Sequence, residues 1–169
     1  MRFKILGILA AVTLISACET APEEDMASTG DGATTASTTA AATTAMVDPI
    51  TPGSQRDLMV NVGDRVYFDY DRFDLNDISR ATLEKQAAWM KQNSGVMVTL
   101  EGHCDERGTR EYNLALGARR ANSAKDYLVS LGVSASRINV SSYGEERPVA
   151  MGSNDAAYAQ NRRAETVVR

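Results

Sequence analysis

Hydrophobic positions along this chain fall into three regimes. Ile5 to Ile15 is an almost unbroken apolar run, residues 19–54 carry no hydrophobic period at all, and from about residue 57 onward short periodic segments alternate with turn residues. Over residues 65–71, Val66, Phe68 and Tyr70 alternate with Tyr67 and Asp69, the period-2 pattern of a half-buried strand. Asn76 or Asp77 then caps a helix to about Asn93, with Leu83, Ala87 and Met90 on one face and Ser94-Gly95 as its stop. Val96–Glu101 reads as a second strand, and the polar, glycine-bracketed stretch from Gly102 to Thr109 as the loop after it. A long helix is predicted from Arg110 to Leu131, closed by Gly132, with Leu114, Ala118, Ala121, Leu128 and Leu131 as its inward stripe. Ile138–Tyr143 forms a third strand, Asn154–Arg163 a third helix and Ala164–Val168 a closing strand. Strand and helix segments in this order predict an α/β (α+β) two-layer sandwich with the helices over one sheet face.

The first two regimes do not belong to that body. Met-Arg-Phe-Lys, the apolar run and Ser16-Ala17-Cys18 form a signal peptide, too short to cross a bilayer as a helix, which takes ~20 apolar residues. Leu14-Ile15-Ser16-Ala17-Cys18 also resembles the lipobox of bacterial lipoproteins, which implies cleavage after residue 17 and acylation of Cys18. Two or more acyl chains hold a protein stably on a membrane. In such lipoproteins an Asp after the cysteine commonly retains the protein at the inner membrane; here that residue is Glu19, which favours the inner leaflet of the outer membrane. Between residues 19 and 48, 18 of 30 positions are Ala, Ser or Thr, six are acidic and none is basic or aromatic, a composition that cannot offset its ordering entropy. The expected organisation is a signal peptide over 1–17, a lipidated Cys18 with a disordered linker over 18–56, and one domain over 57–169.

Charge narrows the function. Residues 49–169 hold 16 acidic and 16 basic side chains, so the domain is neutral, which rules out a bulk electrostatic grip on nucleic acid. Glycine-rich phosphate loops are absent, and with a single histidine the chain offers no His-rich zinc site. No cofactor or metal is expected. His103 and Cys104 suggest a thiol hydrolase, but neighbours on an extended strand point to opposite faces, so the expectation is a packed thiol and a hydrogen-bonded imidazole rather than an enzyme. Tyr112, Tyr127 and Tyr158 read as helix packing, and Arg119 and Arg163 as solvated or structural.

The candidate binding chemistry lies at the end of the second strand. Asp105 and Arg107 stand there, and Asn113, Leu116 and Arg120 share one face of the following helix in the half nearest that loop. A carboxylate and a guanidinium converging on one cleft suit a zwitterion, the Asp accepting from an ammonium while the planar Arg fork takes a carboxylate. The ligand implied is an amino-acid head group; the alternative is an internal Asp105–Arg120 salt bridge tying loop to helix.

The run from Thr99 to Thr109, with Glu111-Tyr-Asn113, Leu116-Gly117, Arg119-Arg120-Ala121, Ser142-Tyr-Gly-Glu145, Pro148 and Asn161-Arg162-Arg163, closely resembles the peptidoglycan-associated lipoproteins of the OmpA-like C-terminal domain family. The likeness spans residues ~58–169. It implies helices packed on one face of a mixed four-stranded sheet, and non-covalent binding of the peptidoglycan stem peptide through meso-diaminopimelate. Carried over by position, Asp105 takes the ammonium and Arg120 the carboxylate. Asp71 and Arg107 line the pocket, Thr109 and Asn113 support the loop, Leu116 packs beneath and Tyr70 forms an apolar wall. The resemblance also implies an outer-membrane location facing the periplasm, membership of the Tol-Pal system with TolB and TolA as partners, and a part in envelope integrity and division. The alternatives are a wall-binding lipoprotein outside that system and, more remotely, a periplasmic cysteine hydrolase that uses Cys104.

Overall fold

The structure, a computed structural model, describes residues 50–169. The signal peptide, the lipidated Cys18 and the linker as far as residue 49 lie outside the described residues. Ser54 accepts a hydrogen bond from the Asp57 backbone N–H and so caps α1 (Gln55–Asp57), which runs on into a π-helical turn over Leu58–Val62. The Gln55 side chain donates to the Thr166 carbonyl and accepts from the Val168 N–H, so residues placed at the end of the linker are tied into the domain.

Four strands form one sheet in the order β1-β4-β2-β3: β1 (Arg65–Tyr67), β2 (Val98–His103), β3 (Ile138–Gly144) and β4 (Arg163–Val168). β4 runs antiparallel to both neighbours, whereas β2 and β3 are parallel. A parallel pair needs a long crossover, and α3 (Arg110–Ser130) supplies it. α2 (Asp77–Gln92) joins β1 to β2, and the short α4 (Asp155–Asn161) precedes β4. The core contains Leu58, Val66, Phe68, Leu83, Met90, Val98, Leu100, Ala121, Ala124, Leu128, Ile138 and Ala164, the apolar faces of α2 and α3 laid against one side of the sheet. Among the described residues no helix is long and apolar enough to cross a membrane.

Several elements differ from their sequence pattern for local reasons. β1 ends at Tyr67, although the alternation continues to Tyr70, because the chain turns there and Asp71 takes a left-handed φ of 55°. β2 extends through Gly102 and His103, assigned above to the loop, because they still pair with β3; a register shift between them sets His103 opposite Gly144. Bulges of this kind re-aim the side chains that follow. In α3 the buried stripe is Asn113, Leu116, Gly117, Arg120, Ala121, Ala124 and Leu128, so Leu114 and Ala118 give up the expected inward positions. The reason is a glycine-on-glycine contact: a Cβ on Gly102 would overlap the Gly117 carbonyl oxygen, and one on Gly117 would collide with Ser142 Oγ. α3 thus rides unusually close to β2, rotated so that its polar Asn113 and Arg120 face inward.

His103 was expected to be hydrogen-bonded and is not. Its ring is 1% exposed, stacks on Tyr143 at 5.6 Å between centroids, and has no hydrogen-bond partner at either nitrogen among the described residues. Burial first, and then the neighbouring Arg163 cation, push its pKa down to about 4.

Two outcomes follow from this packing. Gly102→Ala forces α3 off the sheet and destabilises the domain by about 1–3 kcal/mol or more, measurable as a lower Tm. For His103, the neutral ring is favoured in the folded state, so stability is complete above pH 6.5 and is lost as pH falls from there toward about 4. Tm should therefore drop more between pH 7.5 and pH 5 in the parent chain than in His103→Phe; equal slopes would contradict this.

Candidate functional site

The loop after the bulged end of β2, the turn after β1 and the N-terminal half of α3 meet around a cavity of about 270 Å³. Tyr70, Asp71, Cys104, Asp105, Arg107, Asn113, Leu116 and Arg120 all line it, as do Gly108 and Tyr112. Thr109 does not; it caps α3, its hydroxyl accepting from the Tyr112 N–H at 3.2 Å. The volume is near the lower end for ligand pockets, which suits a head group rather than a large ring system.

Arg120 is the buried centre of the site. The residue is 1% exposed, and its guanidinium donates to the carbonyls of Arg72 (2.9 Å), His103 (2.8 Å) and Asp69 (3.1 Å) and to Cys104 Sγ (3.3 Å). Those bonds use four of the five N–H donors of the fork. They satisfy hydrogen bonding, and no carboxylate among the described residues forms a salt bridge with Arg120; the nearby Asp105 and Asp71 charges act on it only from beyond contact. Burial accordingly pushes its pKa down.

Asp105 stands in the same cavity, 4% exposed, but is not paired with Arg120. Its Oδ2 accepts from Arg107 Nη2 at 2.6 Å and from Arg162 Nη1 at 3.2 Å, and its Oδ1 from the Arg107 backbone N–H at 3.2 Å. Burial works to raise the Asp105 pKa, yet these hydrogen bonds outweigh it and hold the group below the ordinary carboxylate value. The internal salt bridge between Asp105 and Arg120 is thus not what the fold makes: the two opposite charges face one hollow separately.

The surrounding residues hold this arrangement in shape. Asn113 Nδ2 donates to the Asp105 carbonyl (3.3 Å) and to Glu145 Oε2 (2.5 Å), pinning the loop to α3. Leu116, 4% exposed, supplies apolar lining beside them. Tyr112 donates its hydroxyl proton to Asp71, whose left-handed backbone turns the carboxylate toward α3. The Arg107 guanidinium lies over the rings of Tyr70 (4.0 Å) and Tyr158 (4.5 Å), within cation–π range of both. Cys104 donates its thiol proton to the Asn113 carbonyl at 3.3 Å, while His103 stacks on Tyr143, so the two side chains have separate neighbours. Burial pushes the thiol pKa up to about 11, keeping Cys104 protonated and a poor nucleophile.

Three participants escaped the sequence pattern. Tyr112 and Tyr158, read as helix packing, border the charged groups, and Arg162 reaches Asp105 from α4. The usable signal was spacing: Tyr158 and Arg162 are four apart and share a helix face, directed at whatever lies before β4. Arg163, by contrast, is structural, 3% exposed and bonded to Glu165 and the Arg147 carbonyl.

Known proteins carry the same scaffold. The peptidoglycan-associated lipoprotein of Rhizobium meliloti (strain 1021) is 54% identical over 118 residues, 70% of this chain and 67% of that protein. That of Pseudomonas aeruginosa is 52% identical over 99 residues, 59% of this chain and 58% of its own. The crystal structure of the peptidoglycan-associated lipoprotein from Burkholderia pseudomallei superposes with a TM-score of 0.61 at 42% identity, covering 63% of this chain and 90% of that one. The C-terminal domain of Helicobacter pylori MotB shares the fold at 22% identity with a TM-score of 0.59. The family model described as OmpA family matches residues 67–162, from the last residue of β1 to the arginine that reaches Asp105. With more than half its length inside that match and the strand order and cavity described above, the chain belongs to the OmpA family.

Proposed function

We propose that this protein is a lipid-anchored envelope protein whose domain holds peptidoglycan non-covalently by the free ammonium and carboxylate at the side-chain end of meso-diaminopimelate. The observation that carries this reading is the fully buried Arg120, without a salt bridge among the described residues, at the wall of a cavity that also contains the Asp105 carboxylate. A carboxylate entering the cavity supplies the contacting counter-ion that Arg120 does not have among the described residues, and an ammonium on the same carbon is drawn to Asp105. Charge-assisted hydrogen bonds of this kind contribute ~1.5–3 kcal/mol each, and a ligand with only one of the two charges forfeits one set. The reading agrees with the names of the relatives, which are peptidoglycan-associated lipoproteins. In the same proposal Cys18 anchors the chain to the outer membrane with the domain facing the periplasm, and TolB and TolA are its partners, as the resemblance implies.

Arg120→Ala is a poor test, because it also strips three main-chain carbonyls of their donor, at ~1–3 kcal/mol for each buried group left unpaired. Asp105→Asn keeps the shape and removes the charge. In sedimentation with purified peptidoglycan, Asp105→Asn is expected to reduce binding roughly 10–100-fold while circular dichroism still reports a folded domain. A soluble diaminopimelate-containing tripeptide should compete with the parent chain for the wall. Undiminished binding by the folded variant, or failure of the tripeptide to compete, overturns the reading. Co-purification of TolB with the parent chain tests the partner assignment separately.

A further inference from the structure

Asp105 is held by two arginines that differ in kind. Arg107 comes from the same loop two residues away, and its side chain is 35% exposed, resting between two tyrosine rings at the cavity mouth. Arg162 comes from the far side of the sequence, and its side chain is 14% exposed. It caps α4, its backbone N–H donating to the Tyr158 carbonyl at 3.0 Å. Its Nε donates to the Phe68 carbonyl at 3.0 Å, and its own carbonyl accepts from the Phe68 N–H at 2.9 Å, so backbone and side chain are both clamped to the end of β1. An incoming ammonium needs room at the Asp105 carboxylate. Arg107 can give that room by swinging toward solvent; Arg162 cannot without undoing the β1–β4 junction.

We infer that Arg162 is a positioning residue, which keeps the Asp105 carboxylate ionised and aimed into the cavity whether or not Arg107 is in place. This rests on the reading of the cavity given above, and assigns a role to a residue outside the cavity lining. It gives a carboxylate 4% exposed a cationic partner held by main-chain bonds on a separate element. The other groups facing Asp105 do not substitute. Arg120 and Arg107 are the remaining cations around the cavity, Arg120 being committed to main-chain carbonyls. Asp71 and Glu106 are anions, Cys104 is a protonated thiol, and Tyr70, Tyr112 and Tyr158 are neutral phenols.

The test uses the full chain and two variants, Arg162→Gln and Arg162→Lys, with two readouts. In the first, the Asp105 carboxyl carbon is titrated by nuclear magnetic resonance in the free protein. Arg162→Gln should move its midpoint upward, and Arg162→Lys should return most of the difference. In the second, binding of the diaminopimelate-containing tripeptide is followed from pH 7.5 downward. Arg162→Gln should bind roughly tenfold more weakly at neutral pH, and should lose binding at a higher pH than the parent. An Asp105 midpoint unchanged in Arg162→Gln sinks the inference, even if Tm falls, because Arg162 then serves only the β1–β4 junction. A parent chain that fails to bind the tripeptide sinks the functional reading instead, and the titration of the free protein still decides the role of Arg162.

Discussion

A buried guanidinium with no carboxylate in contact among the described residues is the constraint on which the rest of the structure turns. Removing an ion from water is costly unless polar groups replace the hydration shell, and here the replacement is main chain. The carbonyls of Asp69, Arg72 and His103 converge on Arg120 from the turn after β1 and from the end of β2. The cation is therefore one fastener between these two segments, alongside Arg162, and the cavity is the space left between them. Because neutral carbonyls do this work, the charge itself remains available. In the proposed function, structural and recognition roles would coincide in one side chain, which is why removing it would confound the two.

That cation can sit where it does only because α3 approaches the sheet through two glycines. The contact of Gly102 with Gly117 brings the helix backbone almost onto the strand and rotates Asn113 and Arg120 inward, at the expense of Leu114 and Ala118. The register shift one residue further along redirects Cys104 and Asp105 toward the same hollow. Packing that looks suboptimal by apolar burial alone is thus what delivers polar groups to the interior, and the aliphatic core around Leu83, Met90, Leu100 and Leu128 compensates elsewhere.

Much of this was legible from the chain. Period-2 and period-3.6 patterns located each main strand and helix, because burial on one side dictates them directly, and Asn76 and Gly132 marked helix ends through local capping chemistry. Asp105 and Arg120 were recognisable as a facing pair from loop position and helix spacing. What periodicity could not convey was who else holds each charge. The partnership of Asp105 with Arg162 joins residues 57 positions apart through the pairing of β1 with β4, and the phenol of Tyr112 meets Asp71 across 41 positions. His103 misled for a related reason: an alternating pattern assigns a side chain to a face, but only the packed sheet reveals that no donor or acceptor reaches it there.

The domain begins at one end of the sheet, and its charged cavity lies at the other. Gly53 abuts Asn93 and Val96, just before β2 begins, whereas the cavity opens just after β2 ends, a strand of six residues or roughly 17 Å away. Tension applied between these two poles runs lengthwise down the central strand, which is laced on both sides to β3 and β4. Loaded in that direction, the ladder bonds resist in shear, all together, instead of peeling open one after another. A domain wired this way can bear a pull along its axis without first giving up the hollow at its far end.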